Sequence, residues 1–269
     1  MTERPTGADH SKPIVTETIG TVLIVTLNRP PANAIDAATS RDLGQIFSRF
    51  RDDPALRVAI LSGGTSRFFS AGWDLKAAAK RESPSADFGV GGFGGLVSLP
   101  HLNKPVIAAV NGIAAGGGFE MALAADMIVC ADTARLALPG ATAGALPAAA
   151  AVTLRRRIPY FIAMELLLTG RWFTPAEAFG WGLCNAVVPG ADLMAKAMEI
   201  AGQLVKGAPL VQAAVKEIAR ETEAMSEAEG LDRIQSLQLP TVTKLYGSAD
   251  FKEGARAFSE KRAPRWTGE

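Results

Sequence analysis

The sequence predicts a mixed α/β core followed by a helical C-terminal region. Three observations carry that expectation. β-rich runs alternate with helix-period segments through the first two thirds of the chain, two of those runs lead into glycine-bearing turns, and from about residue 160 the apolar residues fall into stripes of helical spacing. The sequence itself carries no visible internal repeat.

Residues 14 to 27, IVTETIGTVLIVTL, form two β-rich runs on either side of Gly20, the pattern of an antiparallel hairpin. After NRPPANA comes a helix that Asp36 is placed to cap, with Leu43, Ile46, Phe47 and Phe50 on one face and Pro54 as the stop. Residues 58 to 61 make a short buried strand leading into SGGTSRFFSAGWDLK, and residues 106 to 110 make another leading into AVNGIAAGGGFEMALAAD. Between them, residues 81 to 104 are dense in Gly and Ser, which predicts a mobile loop before a short helix, able to admit a ligand. Short strands follow at 127 to 129 and 135 to 138. Met194, Ala197, Met198, Ala201 and Val205 form one helical stripe, and Val211, Ala214, Val215 and Ile218 form another behind Pro209. Pro189-Gly190 is the expected hinge, dividing a core of residues 1 to 190 from a helical region of residues 191 to 269.

Composition excludes several classes of function. The 269 residues are 48% hydrophobic and 20% charged, as in a soluble globular chain, and 28 Lys plus Arg nearly cancel 27 Asp plus Glu. No basic field is available to hold nucleic acid or an anionic membrane, so an anionic ligand must be met locally. The N-terminus, MTERPTGADHSKP, lacks the apolar core of a signal peptide, and no apolar run reaches the ~18 residues of a membrane span, which predicts a cytoplasmic protein. Cys130 and Cys184 stand in apolar surroundings and are expected to be free, isolated and buried. With only His10 and His101, there is little material for a metal cluster or a histidine triad, and His101 is expected to be structural or superficial. Neither G-x-G-x-x-G nor a phosphate-binding G-x-x-x-x-G-K-[ST] loop is present.

Gly116, Gly117 and Gly118 would each cost roughly 1 kcal/mol inside a helix, so together they read as a strand-to-helix turn. Such a turn presents bare backbone N–H groups at a helix N-terminus, a ready site for an oxyanion. Glu120 falls in the first turn of that helix. Beside an oxyanion site it is a candidate catalytic base; equally, it is a first-turn acid that complements the helix dipole while the glycines allow tight packing. This stretch alone leaves both readings open.

FFSAGWDLK (68 to 76) followed by NKPVIAAVNGIAAGGGFEMALAAD (103 to 126) resembles the crotonase, or enoyl-CoA hydratase/isomerase, superfamily, and within it the carnitinyl-CoA dehydratase branch. The likeness runs from VTLNRPPANAID through LLLTGRWFTPAEAFGWGLCNAVVP to EGARAFSEKRAPRW. It implies a crotonase-like ββα spiral with a helical C-terminal region that makes trimers, often paired into hexamers. It also implies an acyl-CoA substrate, no metal, and no cofactor beyond the coenzyme A of the thioester. The backbone N–H groups of Trp73 and Gly117 would hold the thioester oxygen, each worth about 3 kcal/mol to the developing enolate. Coenzyme A would lie along the loop holding Ala32 and Ala34 and along Asp74, Leu75 and Lys76. A C-terminal helix, often a neighbour's, would add Phe258 and Lys261, so that Lys76 and Lys261 meet phosphates. Pro31 stands where relatives often carry a lysine.

Hydratases of this family use two glutamates. The first matches Glu120. The second should fall twenty residues on, but in LALPGATAGALPAAAA that place is taken by Gly140, and no acid occurs between Asp132 and Glu165. Loss of one member of an acid/base pair costs about 10² to 10⁴ in rate. The resemblance therefore implies a 2-enoyl-CoA hydratase or 3-hydroxyacyl-CoA (carnitinyl-CoA-type) dehydratase acting through Glu120 alone; the alternative is an acyl-CoA-binding protein that kept the fold and lost the reaction. Residues 81 to 95 hold the candidate replacement acids, such as Glu82 or Asp87, and the Trp73 indole is either an apolar wall or a cation–π partner for a trimethylammonium head. Double-bond isomerases fit less well, because they usually keep the second acid. Peptide hydrolysis on a similar spiral lacks a serine-histidine pair.

Overall fold

The computed structural model describes residues 12–65, 67–79, 83, 85–236 and 238–269. The chain opens with β1 (Ile14–Ile19) and β2 (Val22–Leu27), an antiparallel hairpin turned at Gly20, where φ is 60°. Then come β3 (Ala34–Ile35), α1 (Ala37–Asp52), β4 (Val58–Ser62), β5 (Phe68–Ser70), β6 (Gly72–Trp73) and α2 (Leu75–Ala79). A 3₁₀ turn at Phe93–Gly95 precedes β7 (Val106–Val110), β8 (Ile113–Ala115), α3 (Gly117–Leu123), β9 (Met127–Ala131), β10 (Arg135–Ala137), α4 (Gly140–Ala143), α5 (Ala148–Arg157), α6 (Tyr160–Thr169), α7 (Pro175–Gly180) and β11 (Ala186–Val188). The C-terminal part is helical: α8 (Leu193–Lys206), α9 (Pro209–Glu221), α10 (Glu227–Gln235), α11 (Pro240–Gly247) and α12 (Ala249–Ser259).

Successive units alternate between sheets. One strand of each joins the six-stranded sheet, ordered β1-β2-β4-β7-β9-β11 and parallel after the hairpin; the next joins a small parallel sheet, β10-β8-β5 or β3-β6; a helix follows. The six-stranded sheet and the β5-β8-β10 sheet therefore both advance in chain order. β4 (VAILS) and β7 (VIAAV) are buried at every position, as parallel strands covered on both faces must be. Helix α8 supplies one of those covers, burying Leu193, Ala197 and Ala201 in the same core that begins at Ile14. A smaller cluster around Ala214, Leu239 and Val242 holds α9 to α11.

Several expectations hold in detail. The hairpin occupies the expected residues, and Asp36 caps α1 by accepting from the Thr39 N–H at 2.8 Å, with Leu43, Phe47 and Phe50 buried. Others need correction. Strand β7 does not run into the three glycines: the chain turns at Asn111-Gly112 and forms β8 first, because Gly112 backs onto the Arg67 carbonyl with no room for a Cβ. The expected short helix after the Gly/Ser-rich segment is only the 3₁₀ turn, and it is anchored, with the Gly94 N–H donating to Ser40 Oγ at 3.1 Å and the Ser98 N–H to the Gly91 carbonyl at 2.9 Å. On α9, Val211 and Val215 face outward; the inward positions are Leu210, Ala214 and Glu217, since the Glu217 carboxylate accepts from the Thr241 N–H at 2.9 Å at the start of α11. The two cysteines are free and buried but not isolated, with Sγ atoms 3.4 Å apart. His101 is exposed with φ at 57°, and His10 lies outside the described residues.

Candidate active site

Each of the three glycines meets a different constraint. Gly116 caps α3 with φ 51°, a conformation that strains any residue with a Cβ. A Cβ on Gly117 would strike the Phe93 ring, 2.7 Å from Cζ, and one on Gly118 would overlap the Ser70 carbonyl. From the opposite side Gly72, at φ 85°, brings its backbone so near that a Cβ there would lie 2.8 Å from the Gly117 nitrogen. The β6 and α3 backbones thus approach with only glycine between them. Gly117 is the first residue of α3, so its N–H has no partner within the helix. Just beyond β6, the Asp74 N–H donates to the Ile35 carbonyl at 2.9 Å, extending the β3-β6 pairing.

Glu120 projects from the first turn of α3 and is half-buried. Its Oε1 accepts the Ala150 N–H at 2.8 Å, in the first turn of α5. Burial pushes the Glu120 carboxyl above the ordinary glutamate range, and the Ala150 and Ala149 N–H groups offset only part of that rise. The carboxyl is therefore suited to both taking up and returning a proton.

Ala32 and Ala34 lie against the 72–76 segment through the β3-β6 pairing and the bond from the Ala71 N–H to the Ala32 carbonyl at 2.9 Å. Arg29 fastens this platform, bonding Asp36 at 2.6 Å, Asp74 at 2.7 Å and the Ala34 carbonyl at 2.6 Å. Asn33 is buried with φ 48°, and its side-chain amide donates to the Phe68 carbonyl at 3.0 Å and the Phe69 carbonyl at 3.2 Å. The Asp74 carboxylate also accepts from the Lys76 N–H at 2.9 Å at the start of α2, so this side chain is engaged within the protein. Burial alone would raise the Asp74 carboxyl, but Arg29 and the Lys76 and Ala77 N–H groups outweigh it and hold it below the ordinary range. Leu75 and Lys76 are exposed beside it.

Gly140 opens α4, and its missing side chain is a packing requirement: a Cβ there would overlap the Ala145 carbonyl and lie 2.7 Å from Pro147 Cδ. The turn leading into α5 fills the space a side chain would need. Asp87 is exposed, its carboxylate accepting from the Gly89 N–H at 2.9 Å, and Glu82 lies outside the described residues. Phe258 and Lys261 sit at the end of α12, which packs on α11; within one chain they are not brought to Glu120 or Trp73. Clefts of about 410 and 640 Å³ run along the C-terminal helices, and neither is lined by Trp73, Gly117 or Glu120.

Sequence reasoning passed over three contributors: Arg29, the first turn of α5, and Phe93. Arg29 had a visible signal, the one cation within the NRPPANA loop, with Asp36 and Asp74 in or beside the two segments it joins. Phe93 had a weaker one, an aromatic ring set among glycines.

A six-stranded sheet and two short parallel sheets wound strand, strand, helix, with a glycine turn beside a half-buried glutamate, define a crotonase-type spiral. The chain belongs to the enoyl-CoA hydratase/isomerase family, whose sequence model matches residues 17–269. It is 54% identical over 252 residues to the carnitinyl-CoA dehydratase of Proteus mirabilis (strain HI4320), covering 93% of this chain and 97% of that one. The same identity over 250 residues relates it to the carnitinyl-CoA dehydratase of Salmonella typhi, covering 93% and 96%. Among solved structures, enoyl-CoA hydratase from Mycobacterium tuberculosis H37Rv superposes with a TM-score of 0.87 at 37% identity, covering 96% of this chain and 99% of that one. Enoyl-CoA hydratase from Bacillus anthracis superposes with a TM-score of 0.86 at 32% identity, covering 96% and 100%.

Proposed function

We propose that this chain interconverts a 3-hydroxyacyl-CoA and the corresponding 2-enoyl-CoA, with Glu120 as its single acid/base and the Trp73 and Gly117 N–H groups as the oxyanion site. The observation that carries this reading is the convergence of a half-buried Glu120 with a glycine turn whose leading N–H has no helical partner. In the dehydration direction the Glu120 carboxylate takes the α-proton while the thioester oxygen gathers charge against the two N–H groups. The resulting enolate reforms its carbonyl as the β C–O bond breaks, and the carboxylic acid returns its proton to the departing oxygen as water. One carboxyl thus serves both half-steps, and hydration is the reverse.

The names of the 54% identical relatives favour a carnitinyl thioester over an unsubstituted acyl chain. Trp73 then has a role for its indole, which attracts a trimethylammonium head by about 0.5 to 2 kcal/mol. Coenzyme A lies along Ala32, Ala34 and the backbone of Asp74, Leu75 and Lys76. A second copy of the chain supplies Phe258 and Lys261, a reading supported by the 88% exposure of Phe258 and by outward-facing Leu146, Phe161 and Leu168 on the face of α5 and α6. Trimers or paired trimers satisfy both. No helix among the described residues is long and apolar enough to cross a membrane, which accords with a cytoplasmic enzyme.

Absorbance assays of crotonyl-CoA and crotonobetainyl-CoA test this reading. Turnover is expected with at least one thioester and is lost in Glu120→Gln; turnover unchanged by that substitution removes Glu120 from the mechanism. Micromolar acyl-CoA binding beside no turnover would favour the binding-protein alternative, for which the relatives' enzyme names offer no support. Equal affinity for crotonobetainyl-CoA and butyryl-CoA would end the role given to the Trp73 indole.

A further inference from the structure

The ring of Phe93 stands directly before the residue proposed to bind the thioester oxygen. An ideal Cβ on Gly117 would lie 2.7 Å from Phe93 Cζ and 3.2 Å from Cδ1, so the ring packs against the Gly117 α-carbon itself. Its position is set by several independent contacts. Phe88 meets it edge-on, with ring centroids 5.6 Å apart and planes at 64°. The next two residues are glycines at φ 64° and 70°: Gly94 is pressed on the Met121 side chain, 2.6 Å from Sδ for an added Cβ, and Gly95 is pressed on Leu43 of α1. The Gly94 N–H donates to Ser40 Oγ at 3.1 Å. Met121 is the neighbour of Glu120 on α3, so the segment that carries Phe93 is seated on the helix that carries the reacting carboxyl.

The geometry points to Phe93 as the wall of the acyl pocket, the residue that limits how bulky an acyl group is accepted at Gly117. This inference rests on the functional reading above. The ring packs on the Gly117 α-carbon, so a thioester carbonyl bonded to the neighbouring N–H would place its acyl chain beside the ring. With the ring held from behind by Phe88 and from below by the glycine contacts, short acyl groups are accepted and long ones are turned back. Removing the ring opens space worth several methylene groups, each of which discriminates by about tenfold or more in an apolar pocket.

The test compares Phe93→Ala and Phe93→Leu with the wild type on crotonyl-CoA and trans-2-octenoyl-CoA, reading the ratio of kcat/KM for the longer to the shorter thioester. Calorimetry with butyryl-CoA and octanoyl-CoA gives the matching Kd ratio independently of turnover. Phe93→Ala is expected to raise preference for the longer chain by about tenfold or more, and Phe93→Leu by less. If Phe93→Ala does not fold, any significant shift in the same direction by Phe93→Leu supports the wall, and no shift overturns it. Ratios within about twofold of wild type in a folded Phe93→Ala overturn the wall while leaving the functional reading intact. A wild type that neither binds nor turns over any thioester overturns both.

Discussion

Ala150 donates its backbone N–H to Glu120 Oε1 at 2.8 Å, joining two helices thirty residues apart in the chain. The Glu120 carboxyl is therefore aimed by α5 as well as by α3. Burial raises its pKa and the two N–H groups of α5 lower it by less.

Replacing Glu120 by Gln should separate catalysis from stability. Activity is expected to fall by about 10² to 10⁴. A carboxyl whose pKa is raised on folding favours the fold while protonated and loses that contribution as the pH climbs through the folded value. Glu120→Gln should accordingly melt at or above the wild type at pH 8 and match it near pH 4.5, the ordinary glutamate value. Thermal melts across that range check the sign.

Arg29→Met should weaken the platform that carries residues 32–34 and 72–76. It leaves two carboxylates, with 22% and 14% side-chain exposure, without their shared cation, and is expected to cost about 1 to 3 kcal/mol. Asp36 behaves like Asp74: burial would raise its pKa, but the Thr39 N–H and hydroxyl and then Arg29 hold it below 3.8. Depressed carboxylates stabilise fully above their unfolded pKa and cease to do so as the pH falls through the folded one. The gap between wild type and Arg29→Met, read by urea unfolding, should be full at pH 6 and close below pH 3.8.

Gly140→Glu should not create a second catalytic acid. Its Cβ would overlap the Ala145 carbonyl, so the turn before α5 must move, and that turn positions the helix that holds Glu120. Both Gly140→Ala and Gly140→Glu are expected to lose about 1 to 3 kcal/mol of stability, and turnover should fall in each. An increase in turnover for Gly140→Glu would show that the space is more yielding than the packing indicates.

Lys216→Met should loosen the C-terminal helices. Lys216 Nζ bonds Asp126 Oδ2 at 2.7 Å and the Lys104 carbonyl at 2.8 Å, joining α9 to the end of α3 and the start of β7. The substitution keeps the apolar stem and removes the charge, leaving Asp126 with the Val106 N–H at 2.8 Å. A loss of about 1 to 3 kcal/mol is expected, with earlier amide exchange in α9 and α11 than in the six-stranded sheet.

What the sequence reveals depends on how local each cause is. The β1-β2 hairpin, the Asp36 cap and the first-turn placement of Glu120 follow from neighbours a few residues away. Strand β8 and the β3-β6 pair are two or three residues long and exist because glycines let distant backbones touch; no periodicity reveals such segments. The outward turn of Val211 and Val215 was hidden for a related reason: Glu217 is drawn inward by an N–H on a helix that begins at residue 240. Of the candidate site, the motifs pick out Glu120, Gly117 and the Trp73 segment, whereas the hold of α5 on Glu120 and the seat of Phe93 arise only when the chain closes on itself.

A carboxyl steered by another helix also senses strain in that helix. Val152, 52% exposed, lies two residues beyond the Ala150 N–H that grips Glu120, and α6 shows Phe161 to solvent. Anything that leans on this outer surface works through a short stiff rod whose far end is the carboxyl, so changes there should register in the chemistry before they register in the fold.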